Sequence, residues 1–185
     1  MKLYVIRHGQ TDWNVAGKCQ GMSDIELNET GIEQAKKVKE QIKKYNIDLI
    51  ISSPLKRAKK TAEIINEAIN CPIEYDNRVI ERGFGNIEGT TESTRSEIFG
   101  DNNIDIINNY NVNYNEQNIE PVKDVCKRVW KLLDEIKGKN QNVLIVTHGG
   151  TCRAIGAYFN GIDESGMLAS AHINNCEIRE YEFKK

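Results

Sequence analysis

Two short apolar runs, far apart in the chain, each lead into a histidine followed by a glycine. Residues 3–6 (Leu-Tyr-Val-Ile) continue through Arg7 into His8, and residues 143–147 (Val-Leu-Ile-Val-Thr) continue directly into His148. Such uncharged, β-prone runs predict strands buried on both faces of a mostly parallel sheet, and ligands of these sheets bind at the carboxyl ends of the strands. A histidine at a strand end can also be purely structural. Because two of the three histidines take this position, we favour one site that contains both.

A third apolar run, residues 48–51, precedes a helix that carries an arginine near its start. Ser53 and Pro54 predict the N-cap and the first residue of this helix, which places Arg57 in its first turn. Apolar residues recur three and four positions apart from Leu55 to Ile69 and form one face, and Arg57 lies off that face. An isolated arginine among lysines is usually solvated. A helix start, however, carries partial positive charge and free N–H groups, so an arginine there also suits an anion.

The groups at these strand ends match the needs of phosphomonoester cleavage. That reaction needs a nucleophile, positive charge around the equatorial oxygens and a proton for the leaving alkoxide. A neutral His8 can attack phosphorus and form a phosphohistidine that water then hydrolyses. Arg7 and Arg57 carry planar donor groups that suit phosphate oxygens, and His148 adds a further donor. Surrounding cations disfavour protonation of His8 and so lower its pKa.

Four motifs, in the same order along the chain, resemble those of the histidine phosphatase superfamily, the phosphoglycerate-mutase-like phosphatases. They are Arg7-His8-Gly9, Ser53-Pro54-Leu55-Lys56-Arg57-Ala58, Glu81-Arg82-Gly83-Phe84-Gly85 and Thr147-His148-Gly149-Gly150. The chain is similar to the α-ribazole phosphatase and broad-specificity phosphatase members of branch 1, and the resemblance runs from Lys2 to about Ala157 with a gap at residues 90–120. The resemblance implies a three-layer α/β sandwich with a mostly parallel central sheet and a small helical cap. It also implies one domain over residues 1–185, with the cap inserted at about 90–120.

The resemblance assigns further roles in the predicted site. It places the proton donor at Glu81, a choice that the residues alone do not make between Glu81 and Glu88. It also implies a phosphate pocket lined by Asn14, Gln20, Gly21 and the amide of Gly149. Arg82 either meets a second anionic group of the substrate or is a surface arginine.

Neither a metal nor an organic cofactor is indicated. The sequence has no HExxH motif, and its five cysteines show no CxxC spacing, which is typical of a reducing compartment. The formal net charge of -2 gives no reason to expect nucleic acid, and no segment is long and apolar enough for a signal peptide or a membrane span. We therefore predict a cytoplasmic enzyme that acts on a small-molecule phosphomonoester. The sequence leaves the oligomeric state open.

The predicted cap contains a stretch of unusual composition. Residues 101–120 are rich in asparagine and isoleucine and contain no lysine, arginine, glycine or proline. Weak helix propensity and modest hydrophobicity predict a mobile or loosely packed segment. Mutases of the resembled family have a longer, cation-rich segment here, whereas Arg95 is the last cation before Lys123 in this chain. This difference favours a phosphatase whose pocket is roofed by neutral side chains.

Three functions remain as alternatives at this point. The favoured one is metal-independent hydrolysis of a small metabolite phosphate, such as an α-ribazole phosphate or a sugar phosphate. The second is phosphoglycerate mutase activity through the same phosphohistidine, which needs a second anion site, and only Arg82 is a candidate for it. The third is a non-catalytic module that binds a phosphate ligand or a protein. Such a module tolerates loss of the nucleophile or the acid, whereas this chain retains the whole predicted catalytic set.

Overall fold

The computed structural model describes residues 1–100, 109–113, 115–169 and 172–183, and these residues form an α/β fold. The described strands are β1 (Lys2–Arg7), β2 (Leu49–Ser52), β3 (Ile73–Tyr75), β4 (Val143–Thr147) and β5 (Ile178–Glu182). The described α-helices are α1 (Asp12–Val15), α2 (Glu29–Ile42), α3 (Lys56–Ile69), α4 (Glu92–Phe99), α5 (Val122–Lys137) and α6 (Gly149–Asn160). The predicted α/β class is confirmed.

The five strands form one sheet in the order β3-β2-β4-β1-β5. Neighbouring strands are parallel except for β5, which runs antiparallel to β1 at the edge. The two strands that end in histidines are therefore adjacent, and the backbone N–H of His8 donates to the carbonyl of Thr147 (2.8 Å). Because β2 lies on the other side of β4, all three predicted strand ends meet at one edge of the sheet.

Helices cover both faces of the sheet, as three layers require. Side chains alternate along each strand, so one face carries Tyr4 and Ile6 and the other carries Leu3 and Val5. The first face packs against α2 and α3, and the second packs against α5 and α6. Both central strands are buried along most of their length, which explains their uniformly apolar sequence. Among the described residues, none of the helices combines the length and the apolar character that crossing a bilayer demands.

The start of α3 differs from the prediction. The helix begins at Lys56, and Leu55 occupies the N-cap position without a capping side-chain hydrogen bond. The backbone N–H of Lys56, which has no partner within the helix, donates instead to Oδ1 of Asp24 (2.7 Å), a residue far away in the sequence. The prediction of Ser53 as the N-cap is therefore wrong, although Arg57 does lie in the first turn.

The predicted cap is partly described. It contains α4 and a short 3₁₀ turn at Asn115–Gln117, whereas residues 101–108 and 114 of the predicted loose segment lie outside the described residues. Ile119, near the end of that segment, is buried against Phe84 and Ile87. The described end of the segment is therefore packed.

Candidate active site

A cavity of about 180 Å³ lies at the carboxyl edge of the sheet, and most of the predicted site residues line it. They are Arg7, His8, Asn14, Gln20, Gly21, Arg57, Glu81 and Gly149. A larger hollow of about 400 Å³ lies near the start of α3, but its wall consists of lysines, glutamates and two apolar side chains. Of the two, only the smaller cavity contains a nucleophile together with arginines.

The ring of His8 is held in one tautomer by the backbone. Its Nδ1 donates to the carbonyl oxygen of Gly9 (2.7 Å), so in the neutral ring Nε2 carries the lone pair. Within the described structure Nε2 has no hydrogen-bond partner, and His8 lines the cavity. Burial, and then the charges of Arg57 and Arg7, lowers the pKa of His8 well below its usual value. The prediction of a lowered pKa is confirmed, with burial rather than the cations as the larger cause.

His148 lies behind His8 and is not on the cavity wall. The two ring centroids are 5.1 Å apart, and His148 is fully buried. Its Nδ1 accepts from Nε of Arg57 (3.2 Å), so Nε2 carries the proton and donates to Oγ of Ser53 (2.7 Å). Burial is the main cause that lowers the pKa of His148 well below its usual value. With both nitrogens engaged, His148 supports Arg57 in this arrangement, and its role as a direct donor to a ligand stays a prediction.

Arg57 is completely buried, yet its guanidinium reaches the cavity. Its Nη1 and Nη2 donate to the carbonyls of Ser23 and Gly21, each at 2.7 Å, and its Nε donates to His148. A guanidinium has five N–H donors, so two remain for a ligand. Burial lowers the pKa of Arg57 to about 10, which still leaves it charged at neutral pH.

Arg7 and the first residue of α6 add two more donors beside His8. Nη1 of Arg7 donates to the carbonyl of Ile173 (3.0 Å), whereas its Nε is buried without a hydrogen-bond partner. Such an orphan donor is rare in folded proteins and calls for an explanation. The N–H of Gly149 also makes no hydrogen bond within the part of the chain that the structure describes. Both donors suit an anion bound at the start of α6.

The carboxylate of Glu81 is held against the first turn of α6. Its Oε2 accepts from the N–H of Gly150 (3.2 Å), and its Oε1 accepts from those of Thr151 (3.3 Å) and Arg82 (2.9 Å). A Cβ at Gly150 would lie 2.7 Å from Oε1 of Glu81, so the close approach requires glycine there. Glu81 is thus fixed at the cavity wall.

Glu88, which the sequence did not separate from Glu81, has a different place. Its carboxylate accepts from the backbone N–H groups of Met22 (2.9 Å), Ser23 (2.9 Å) and Phe84 (3.0 Å). This holds the loop whose carbonyls bind Arg57. Gly21, in the same loop, has a positive φ of 51°, and a Cβ there would lie 2.0 Å from Glu88.

Two amide side chains complete the inner wall. Oδ1 of Asn14 accepts from the N–H of Thr11 (3.1 Å), while its Nδ2 has no hydrogen-bond partner among the described residues. Oε1 of Gln20 is buried without a partner. Asn175, which sequence reasoning missed, donates to the carbonyl of His8 (2.7 Å) and so steadies the loop that carries the nucleophile.

Arg82 does not line the cavity. It is buried, its Nε donates to the carbonyl of Glu120 (2.5 Å), and its guanidinium lies over the ring of Phe84 at 5.2 Å. The interpretation as a surface arginine is therefore wrong, whereas a role of Arg82 toward a second anionic group of the substrate stays a prediction. The cavity wall instead includes Lys18, Arg95 and Arg153.

The prediction that neutral side chains cover the pocket is wrong for the described residues. Arg95 belongs to α4 in the cap, and Lys18 follows α1, and both line the cavity. Cys19 lies between them on the wall, and burial raises the pKa of its thiol to about 12. Because the thiolate is the reactive form, Cys19 is an inert filler at neutral pH.

Comparisons with known proteins agree with this geometry. A family model described as the histidine phosphatase superfamily (branch 1) matches residues 3–185, including the region that the four motifs leave out. An uncharacterized phosphatase, PhoE, from Bacillus subtilis (strain 168) is 36% identical over 185 residues, which cover 97% of this chain and 90% of that protein. A metal-independent phosphoserine phosphatase from Arabidopsis thaliana is 31% identical, covering 98% of this chain and 78% of the relative.

Solved structures show the same similarity. A mycobacterial glucosyl-3-phosphoglycerate phosphatase, solved as a complex with VO3, matches with a TM-score of 0.89 at 27% identity. The match covers 97% of this chain and 90% of that structure. The likeness therefore extends over the sheet, both helical layers and the region around the cavity.

Proposed function

This chain belongs to the histidine phosphatase superfamily, branch 1, and is a phosphatase of that family; on this premise we propose that it hydrolyses phosphomonoesters through a phosphohistidine on His8, with Glu81 as proton donor. The observation that carries the proposal is the ring of His8. Its Nδ1 donates to the carbonyl of Gly9, which leaves the lone pair on Nε2. His8 lines the cavity, and its Nε2 has no hydrogen-bond partner among the described residues. A buried, neutral imidazole with one free lone pair is a nucleophile ready to attack phosphorus.

Donors around His8 support binding of the transferred phosphoryl group. Nε of Arg7, the N–H of Gly149 and the two remaining N–H groups of Arg57 have no other partners among the described residues. Phosphoryl transfer spreads negative charge over three equatorial oxygens, and donors that are fixed in place stabilise that charge. Asn14 adds an amide donor to the same wall.

His8 and Glu81, both on the cavity wall, supply the bonds and the proton that the two chemical steps require. Nε2 of His8 bonds to phosphorus as the ester P–O bond breaks, and Glu81 gives its proton to the departing alkoxide. Water then attacks the phosphohistidine, Glu81 takes a proton from that water, and the P–N bond breaks to release phosphate and neutral His8. His148 keeps Arg57 in place, because the Nδ1 of its neutral ring accepts the Nε–H of Arg57.

The substrate that we propose is a small metabolite phosphate. The cavity of about 180 Å³ suits a small ester better than a protein or a nucleic acid. Two of the named relatives are a phosphoserine phosphatase and a glucosyl-3-phosphoglycerate phosphatase, and both of these substrates are small phosphate esters. The α-ribazole and sugar phosphates stay predictions. We also propose a cytoplasmic location, supported by five unpaired cysteines.

The test compares the native chain with His8→Ala in hydrolysis of p-nitrophenyl phosphate with excess EDTA. We expect the native chain to remain active and to form an acid-labile phosphoenzyme, and we expect His8→Ala to lose both. His172→Gln is a matched control, because His172 does not line the cavity. Native activity that EDTA abolishes, or a phosphoenzyme that persists in His8→Ala, would contradict the mechanism.

A further inference from the structure

Three further cations line the cavity in addition to the groups assigned to the ester phosphate. Arg153 extends from α6, Arg95 from α4 and Lys18 from the loop after α1. They come from three separate segments that surround one opening. The only acidic side chain among the described residues on this wall is Glu81, and three backbone N–H groups already bind its oxygens.

None of the three cations has a carboxylate partner in residues 1–100, 109–113, 115–169 and 172–183. Nη1 of Arg95 donates to the carbonyl of Thr90 (2.8 Å), and Nη2 of Arg153 lies 3.5 Å from Nδ1 of His172. The amine of Lys18 lies 5.6 Å from the ring centroid of Trp13. Elsewhere the chain pairs its cations readily, as in Lys36 with Glu33 and Lys43 with Glu40. Among the described residues, the cavity therefore concentrates positive charge that no carboxylate pairs with.

Holding several cations close together costs the folded protein free energy, because like charges repel one another. Arg153 is half-buried, and burial together with the charge of Arg7 lowers its pKa, although Glu81 acts in the opposite direction. Arg7 and Arg57 already supply charge for one phosphate group. Two further guanidinium groups and one ammonium group exceed what that phosphate needs, and an additional anion would relieve their repulsion.

We propose that Arg153, Arg95 and Lys18 form a subsite for a second anionic group, a carboxylate or a phosphate, on the same substrate molecule. The substrate class is then a small phosphomonoester that carries another negative charge away from the scissile bond. This inference rests on the proposed function, because the subsite orients the ester toward His8. Arg153 is its central member, since α6 also presents the N–H of Gly149 to the ester phosphate.

The test uses matched esters as competitors of p-nitrophenyl phosphate hydrolysis, so that each ester is scored whether or not it is turned over. One pair is 3-phosphoglycerate and glycerol 3-phosphate, which differ in a carboxylate. The other is glucose 1,6-bisphosphate and glucose 6-phosphate, which differ in a phosphate. In the native chain we expect the inhibition constant of at least one doubly anionic ester to be about tenfold or more below that of its partner.

Substitutions then test which residues cause the preference for the doubly anionic ester. In Arg153→Gln the ratio of inhibition constants within the preferred pair should fall toward one, whereas Arg153→Lys should retain part of it. Lys18→Gln, at an exposed position, should lower the ratio by a smaller factor and guards against misfolding of the Arg153 variants. Lys60→Gln removes the same charge outside this cavity and should leave the ratio unchanged.

The outcomes separate this inference from the proposed function. Absence of p-nitrophenyl phosphate hydrolysis in the native chain would contradict the phosphatase mechanism itself. Native hydrolysis with equal inhibition within both pairs, or a preference that Arg153→Gln and Lys18→Gln leave intact, would overturn the second-anion subsite alone. A preference for only the carboxylate or only the phosphate member identifies the second anionic group.

Discussion

At the scale of single residues, Glu81 shows how position decides chemistry. Its carboxylate lies at the cavity wall against the first N–H groups of α6, whereas Glu88 uses its carboxylate to hold a loop. Both are glutamates near the same motif. Only Glu81 lines the cavity that contains His8.

We predict that Glu81→Gln slows the hydrolysis of alkyl phosphates far more than the hydrolysis of p-nitrophenyl phosphate. An alkoxide leaving group needs a proton, and general acid catalysis contributes on the order of 10²–10⁴-fold, whereas p-nitrophenolate leaves without one. The measurement is kcat/KM for both esters. The control is Glu88→Gln, which loosens the Arg57 loop and should slow both esters by similar factors. Equal losses on both esters in Glu81→Gln would remove it from the role of proton donor.

At the scale of elements, α5 holds the segment that carries Glu81. Nη1 of Arg128 donates to the carbonyls of Arg78 (2.7 Å) and Ile80 (2.9 Å), and its Nη2 donates to that of Glu81 (3.3 Å). The same guanidinium pairs with Glu120, whose carboxylate also accepts from the N–H of Gly83 (3.0 Å). A helix outside the cavity thereby fixes the backbone on both sides of Glu81.

Arg128→Gln should therefore affect both stability and catalysis. It leaves backbone carbonyls and Glu120 without their donor, and we expect a loss of about 2–4 kcal/mol in the free energy of unfolding. Urea unfolding measures this loss, and Lys127→Gln, at the adjacent exposed position, should stay within about 0.5 kcal/mol of the native chain. If Arg128 positions Glu81, kcat should also fall more for alkyl phosphates than for p-nitrophenyl phosphate. A variant that is destabilised but shows no such difference would make Arg128 structural only.

At the scale of the whole molecule, the site buries two neutral histidines at the carboxyl edge of the sheet. Burial is the first cause that lowers the pKa of both His8 and His148. In the unfolded chain each has the ordinary histidine pKa of about 6.5. Below that pH the unfolded chain binds protons that the folded chain does not, so the free energy of unfolding falls as pH falls.

We expect this pH dependence to become shallower in His148→Gln. Each such histidine contributes up to about 1.4 kcal/mol per pH unit below about pH 6.5. The difference in free energy of unfolding between the native chain and the variant should therefore narrow between about pH 7 and pH 5, as measured by urea unfolding. His172→Gln should change the slope less, because His172 is exposed. Parallel curves for His148→Gln and the native chain would contradict a neutral buried His148.

The sequence by itself determined the elements and most of the site. The apolar runs at residues 3–6 and 143–147 form strands, as predicted. The positions of His8 and His148 follow directly, because each histidine comes immediately after a strand end. The four motifs also indicated the family and contain five of the predicted residues that line the cavity, namely Arg7, His8, Arg57, Glu81 and Gly149. These properties are readable because strand burial and motif spacing are encoded in neighbouring residues.

Only the tertiary structure decided which charged side chains face the cavity. Arg82 turned out to be buried beside Glu120, whereas Lys18, Arg95 and Arg153 line the wall. Likewise, the start of α3 is capped by Asp24 from a distant loop. Long polar side chains can reach in several directions from one backbone position, so their partners depend on segments that are far apart in sequence. Those partners are settled only when the sheet order brings the segments together.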